Sequence, residues 1–378
     1  MVADQIDRRR ESRIEGRVEV VIPCYNYGRY LPACVDSVIS QHGIDLRVLI
    51  IDDASQDNTA EVGVELARRD HRITFLRHRA NQGHISTYNE GIDWTSGDYW
   101  LLLSADDLLA AGALARAMSV LNQNPRIGLA YGRAAVLRAN AAPPVLVPPN
   151  TEGWRHLSGR QFLEHVCRTV ANPVPTPTAV VRTALQKAIG GYRPELPHSG
   201  DMEMWMRIAV HADVAFLTAC QGIYRWHGDN MQRQFLRAGL GDLPERRRAF
   251  DVLFANYSSR LVDAKQLERT VRRRIAEAAF WTGSRAFDQG DIESFRACTD
   301  FAITCLPEIR SWSAWRHLRY KALIGQRIWR WIRPLCDMIR NKPPSDSDYD
   351  DPLPGMSAWT LESEVVSKEA PRGRYALT

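Results

Sequence analysis

The stretch RVEVVIPCYNYGRYLPACVDSVISQHGIDLRVLIIDDAS, residues 17–55, decides the fold. Two short β-branched runs, RVEVVIPCYN and DLRVLIIDDAS, each end in polar residues and each lead into an apolar helical pattern, YLPACVDSVISQ and TAEVGVELARRD. That is a βαβ rhythm. RITFLRH (72–78) and DYWLLLS (98–104) continue it, with ISTYNEGIDWT as the helix between them. Strands apolar on both faces are what a helix-covered, mainly parallel sheet requires. In such sheets ligands bind outside the carboxyl ends of the strands. The residues at those ends are Tyr25 and Asn26, Asp52 and Asp53, and Asp106 and Asp107, so three strand ends offer polar groups to one crevice.

Composition sets the frame. The chain has 378 residues, 45% hydrophobic and 25% charged, which describes folded protein of about two domains. No uncharged apolar run is long enough to span a bilayer, and MVADQIDRRRESRIEGR lacks the apolar centre of a signal peptide, so a cytoplasmic protein is expected. Seven cysteines with no CxxC pair fit single thiols in a reducing compartment. The net charge is +5, yet residues 310–340 alone carry seven Arg and one Lys against one Asp. The remainder is slightly acidic, which argues against general nucleic-acid binding and for one local basic surface.

Further along, NAAPPVLVPPNTEG (140–153) reads as a surface loop. A strand, a helix, a Gly190–Gly191 turn, an amphipathic helix and a last strand ending near His227 follow it. From about Leu236 the pattern is helical, with a hairpin turning at Gly290 and stopping at Pro307. The expected organisation is a flexible basic tail (1–16), an α/β domain (17–235), a helical region (236–340) and a disordered Pro-, Ser- and Asp-rich tail (341–378).

Adjacent carboxylates at a strand end repel, and a hard divalent cation with oxygen ligands offsets that repulsion. Asp106 and Asp107 are therefore candidate ligands of Mg2+ or Mn2+, unless Asp107 instead caps a helix starting near Leu108. DDASQDNT (52–59) by itself reads equally as a turn with caps. Asp201 opens an amphipathic helix, HSGDMEMWMRIA, and is either a helix cap or a functional carboxylate. His227 in IYRWHGDN is a structural residue or a metal or phosphate contact, and Trp205 and Trp226 are core residues or stacking platforms.

Taken in order, VVIPCYNYGRYLPACVDSVISQ, IIDDASQDNT, NQGHISTYNEGI, YWLLLSADDLL and HSGDMEMWMRIA closely resemble the pattern of glycosyltransferase family 2, over about Val18 to Met231. The resemblance implies a GT-A fold, a nucleotide-diphosphate sugar donor, a divalent metal and inversion at the anomeric carbon. It places Pro23, Tyr25, Asn26, Asp53, Asn81, Gly83, Asn89 and Asp106 on the nucleotide-sugar, with Asp53 reading a uracil edge and hence UDP as the leading nucleotide. It gives Asp106, Asp107 and His227 to the metal and makes Asp201 the general base that deprotonates an acceptor hydroxyl. Three positions depart from the pattern: Ser104 stands at the first acidic place of the Asp-x-Asp-Asp motif, Tyr88 where an Arg is usual, and Gly200 where a Glu precedes the base. Those departures keep open a catalytically silent scaffold. A sugar nucleotidyltransferase, the other alternative, lacks support because its Gly-rich phosphate loop with a following Lys is missing.

The basic stretch SWSAWRHLRYKALIGQRIWRWIRPL (311–335) predicts an amphipathic helix with Trp315, Leu318, Ala322, Trp329 and Ile332 on its apolar face. That face could lie on an anionic membrane beside a lipid-linked or other glycan acceptor, or pack on the α/β domain.

Overall fold

The computed structural model describes residues 14–138, 153–230, 239–329 and 331–332. The expected Pro-rich loop and C-terminal tail, and most of the N-terminal tail, lie outside those residues.

The chain opens as read: β1 (Arg17–Cys24), α1 (Leu31–Ile39), β2 (Asp45–Asp52), α2 (Thr59–Arg69), β3 (Ile73–Arg77), α3 (His84–Trp94) and β4 (Tyr99–Leu102). β1 pairs in parallel with both β2 and β4, and β2 with β3. The carboxyl ends of β1, β2 and β4 therefore share one edge of the sheet. α3 lies close over β1 because Gly91 has no Cβ to collide with Val21.

Past β4 the sheet becomes mixed. β5 (Leu108–Leu109), α4 (Ala113–Gln123), β6 (Ile127–Arg138), β7 (Trp154–Leu157), α5 (Gly159–Thr169), β8 (Val180–Arg182), α6 (Thr183–Ile189), α7 (Gly200–His211) and β9 (Asp213–Trp226) follow. The strand order is β3-β2-β1-β4-β8-β6-β9-β5, with β7 also on β9. Residues 108–109 are thus a strand, not a helix, and Asp107 caps nothing. Leu108 pairs antiparallel with Ile223 and Leu109 with Gly222. That short ladder draws the end of β9 beside the Asp106–Asp107 turn, across more than a hundred residues of chain.

The helical region comprises α8 (Leu243–Tyr257), α9 (Ala264–Gln289), α10 (Ile292–Cys305) and α11 (Ser313–Ile324). The hairpin turns at Gly290, whose φ of 89° is left-handed, and α10 stops just before Pro307. Phe250, Val271, Ile275 and Phe280 belong to the same buried cluster as Phe162, Trp205 and Phe216 of the α/β part. The helices are therefore an extension of one core. Trp205 sits in that core at 2% exposure, which excludes it as a stacking platform.

α11 decides between the two readings of its apolar stripe. Trp315 and Leu318 are buried, and the Trp315 ring lies 5.7 Å from that of Phe280. Trp329 donates from Nε1 to Asp288 at 2.7 Å, and Lys321 forms an ion pair with the same carboxylate. That face packs on the protein, because burying Trp315 and Leu318 against α9 outweighs leaving them for solvent.

Candidate active site

Asp106 and Asp107 sit in the turn between β4 and β5, which Asp107 N–H closes by donating to Ser104 O at 3.0 Å. Both are buried. Asp106 Oδ2 receives His227 Nε2 at 2.9 Å and Asn230 Nδ2 at 3.4 Å. Asp107 Oδ1 receives the backbone N–H of Arg225 at 2.9 Å, and Arg225 Nε donates to Asp106 O at 2.8 Å. Asp106 Oδ1, by contrast, is buried with no hydrogen-bond partner among the described residues. An orphaned buried carboxylate oxygen costs about 1–3 kcal/mol or more, a cost that a bound cation would offset. Burial, and then the charge of Asp106, push the Asp107 carboxyl well above the usual carboxylate range. A divalent cation would relieve both conditions. No three His, Cys, Asp or Glu side chains converge among the described residues, but Mg2+ is commonly held by one or two carboxylates with substrate phosphates completing its shell. The donor set fits such an ion.

His227 is placed as the holder of Asp106. Its Nδ1 accepts from Asp229 N–H at 3.2 Å, which puts the proton on Nε2 and aims it at the carboxylate. Both ring nitrogens are engaged, so ligation by His227, expected from the sequence, would require it to release Asp106. Tyr30 stacks on its ring at 5.1 Å and Tyr27 meets it edge-on at 5.5 Å. Arg225 and Asn230, which the sequence reading passed over, are legible afterwards as the residues flanking His227 in YRWHGDN. Trp226 remains half-buried beside Tyr224.

On the other side of β1, Pro23 is the second-last residue of the strand and Tyr25 presents a ring that is 44% exposed. Asn26 adopts a left-handed φ of 58°, and its side chain receives Gln56 N–H at 2.8 Å. Asp53 is buried and spans the floor. Oδ1 receives His78 Nδ1 and Gln82 N–H, both at 2.7 Å, while Oδ2 receives Gly83 N–H at 2.9 Å. Oδ2 therefore keeps acceptor capacity for one more donor. Asn81 braces the loop, donating to Asp53 O at 3.3 Å. His78 is buried between two carboxylates, with Nε2 on Glu90 at 2.6 Å. Burial opposes its charge, but the bonds to Asp53 and Glu90 win and its pKa is raised. Stability from a raised histidine is complete below its unfolded pKa and lost as pH rises through the folded one. The melting temperature of the wild type is expected to fall, relative to His78→Gln, as pH rises past about 6.5; parallel curves would contradict the charged His78.

Asn89 is engaged within the protein. Its Nδ2 donates to Tyr192 O at 2.9 Å and its Oδ1 receives Tyr192 N–H at 2.6 Å. The amide holds the turn after Gly191, and one N–H and one carbonyl lone pair remain beyond these two bonds. Asn89→Ala is expected to cost about 1–3 kcal/mol of stability in denaturant unfolding while nucleotide affinity stays unchanged. A loss of affinity without a loss of stability would restore the donor contact.

Asp201 occupies the first turn of α7, and Ser199, not Asp201, is the cap residue. Its Oδ2 receives Asn172 Nδ2 at 2.9 Å and Thr176 Oγ1 at 3.3 Å, and Oδ1 receives Met202 N–H at 2.7 Å. Burial lifts its pKa above the ordinary 3.8. Tyr88, at the place of the missing Arg, packs edge-on against Tyr192. Its phenol is raised by burial and then by the charges of Asp201, Asp106 and Asp107, and the same three carboxylates act on Tyr224. The base candidate and the acidic pair thus act together on the phenols of Tyr88 and Tyr224. At Gly200 a Cβ would meet Tyr192 at 3.5 Å, an ordinary contact, so the missing Glu is not excluded by crowding.

This architecture, a parallel half joined to a mixed sheet, is the GT-A fold. It superposes on the crystal structure of S. aureus TarS with a TM-score of 0.55 and 17% identity, covering 88% of this chain and 54% of that one. Residues 19–161 match the family model described as glycosyl transferase family 2. That segment is similar to glycosyltransferase family 2. An uncharacterized glycosyltransferase, EpsJ, of Bacillus subtilis is 28% identical over 160 residues, covering 40% of this chain and 46% of the relative. The poly-beta-1,6-N-acetyl-D-glucosamine synthase of Staphylococcus epidermidis is 29% identical over 125 residues, covering 33% of this chain and 30% of the synthase. The chain thus spans about half or less of the length of these relatives.

Proposed function

We propose that the protein is an inverting glycosyltransferase that moves a sugar from a UDP-sugar to the hydroxyl of a glycan or lipid-linked acceptor, in assembly of a polysaccharide. The observation that carries the reading is the unpartnered Oδ1 of Asp106, whose other oxygen, Oδ2, is held by His227 and Asn230 at the strand-end crevice of a region similar to family 2. Mg2+ or Mn2+ on Asp106, with Asp107 beside it, would neutralise charge on the departing diphosphate. Tyr25 supplies an exposed ring for the base, and Asp53 Oδ2 retains a lone pair for a uracil N–H. Asn81 and Gly83 hold that wall in place.

Asp201 takes the acceptor proton. Asn172 and Thr176 aim its carboxylate, and its raised pKa makes it a stronger base than an ordinary aspartate. The resemblance of one stretch to a poly-N-acetylglucosamine synthase favours a UDP-hexose or UDP-N-acetylhexosamine donor. No helix among the described residues is long and apolar enough to cross a membrane, so a lipid-linked acceptor would be met by peripheral association from the cytoplasmic side. Incubation with a panel of UDP-sugars and Mn2+ tests the reading: free UDP should accumulate only with the correct sugar and acceptor. Release of pyrophosphate instead would point to a nucleotidyltransferase, and no turnover with any donor to a silent scaffold.

A further inference from the structure

Resting on the peripheral, lipid-proximal reading above, we infer that the outward face of α11 and the residues after it is an interfacial anchor for an anionic bilayer. The buried face of this helix, Trp315, Leu318 and Lys321, is committed to α9. The opposite face is what remains. Tyr320 is 64% exposed, Leu323 77%, Ile324 40%, Ile328 57% and Trp331 85%. Those five are nearly half of the eleven exposed large hydrophobics among the described residues, gathered within twelve consecutive positions. Single exposed apolar residues need no explanation, but a concentration of this kind marks an interaction surface.

Charge decides the partner. From Ser313 to Ile332 the sequence has no Asp or Glu. Lys321 is neutralised internally by Asp288. Arg316, Arg319 and Arg327 are exposed, and no ion pair involves them among the described residues. Arg316, Tyr320, Leu323 and Ile324 stand at helical spacings i, i+4, i+7 and i+8, one face of α11. The helix breaks at Gly325, with φ 83°, and resumes with Arg327, Ile328 and Trp331. Apolar and aromatic side chains interleaved with unpaired Arg match the boundary of headgroups and acyl chains, where the rings enter and the guanidiniums meet lipid phosphates.

The test is co-sedimentation of the full chain with vesicles of phosphatidylcholine alone and of phosphatidylcholine with phosphatidylglycerol. The expected result is pelleting that depends on phosphatidylglycerol and weakens with added salt. Arg319→Ala and Arg327→Ala should each weaken the partition about fivefold, and Leu323→Glu with Ile328→Glu should abolish it. UDP affinity and melting temperature should be unchanged in all of these surface variants. Equal pelleting with both vesicle types, or pelleting indifferent to the variants, overturns the anchor. A concentration-dependent dimer in light scattering that Leu323→Glu dissolves, without vesicle binding, gives the face to a second copy and also overturns it. Because UDP titration is read separately, loss of vesicle binding with nucleotide binding intact counts against the anchor alone.

Discussion

Asp106→Ala is expected to reduce glycosyl transfer by about 10²–10⁴, with little change in melting temperature. The range follows from several kcal/mol of charge stabilisation at the diphosphate, at about 1.4 kcal/mol per tenfold in rate. The fold should tolerate the change because Asp106 Oδ1 contributes no protein hydrogen bond, and removing a buried negative charge relieves the repulsion on Asp107. The partners left behind are His227 Nε2–H and Asn230 Nδ2, both able to find water in an opened site. His227→Gln should fall between wild type and Asp106→Ala, costing about 10–100-fold in apparent metal affinity, the effect of removing a group that orients a ligand. Assays across Mn2+ concentration check this: excess metal should partly rescue His227→Gln and fail to rescue Asp106→Ala. Equal turnover of Asp106→Ala and wild type would remove the acidic pair from the chemistry.

Asp201→Asn is expected to lower kcat by about 10²–10⁴, the usual range for a positioned general base, while UDP binding stays intact. The amide preserves volume and can still accept from Asn172 or Thr176, so the loss would belong to proton transfer and not to collapse of the loop. The pH profile supplies a second readout. Asp201 must be ionised to act, and burial raises its pKa above 3.8. Activity should therefore rise with pH along an acid limb that lies higher than for an exposed aspartate, and the limb should vanish in the residual activity of Asp201→Asn. Wild-type turnover in the variant would assign Asp201 to anchoring the first turn of α7 alone.

The parallel half of the fold was legible because local pattern and tertiary role coincide there. β1, β2 and β4 are largely apolar on both faces, and the polar end of each follows directly from the run before it. The acidic pair could be nominated for the same reason, whereas Asp53 and Asp201, which read alone as turn or cap residues, were nominated by the resemblance to glycosyltransferase family 2. What could not be read is set by contacts distant in sequence. Leu108–Leu109 as a strand depends on its pairing with β9, and Asn89's commitment depends on Tyr192. His78 gave no signal at the end of RITFLRH, because its meaning comes from Asp53 and Glu90 on other segments. The basic helix shows the limit most plainly. Periodicity finds an apolar stripe but does not say whether the protein or a membrane covers it, and here the stripe of Trp315 and Leu318 faces inward while Leu323 and Trp331 face out.

The central claim is that the carboxylates after β4 hold a divalent cation together with a nucleotide diphosphate. Calorimetric titration of UDP into the full chain, with and without Mn2+, on wild type and Asp106→Ala, tests it most directly. The account predicts binding in the wild type that tightens at least tenfold with Mn2+, about 1.4 kcal/mol, and a variant in which Mn2+ makes no difference. Binding of equal strength with and without Mn2+ in both proteins, or no binding of UDP to the wild type at all, would contradict it.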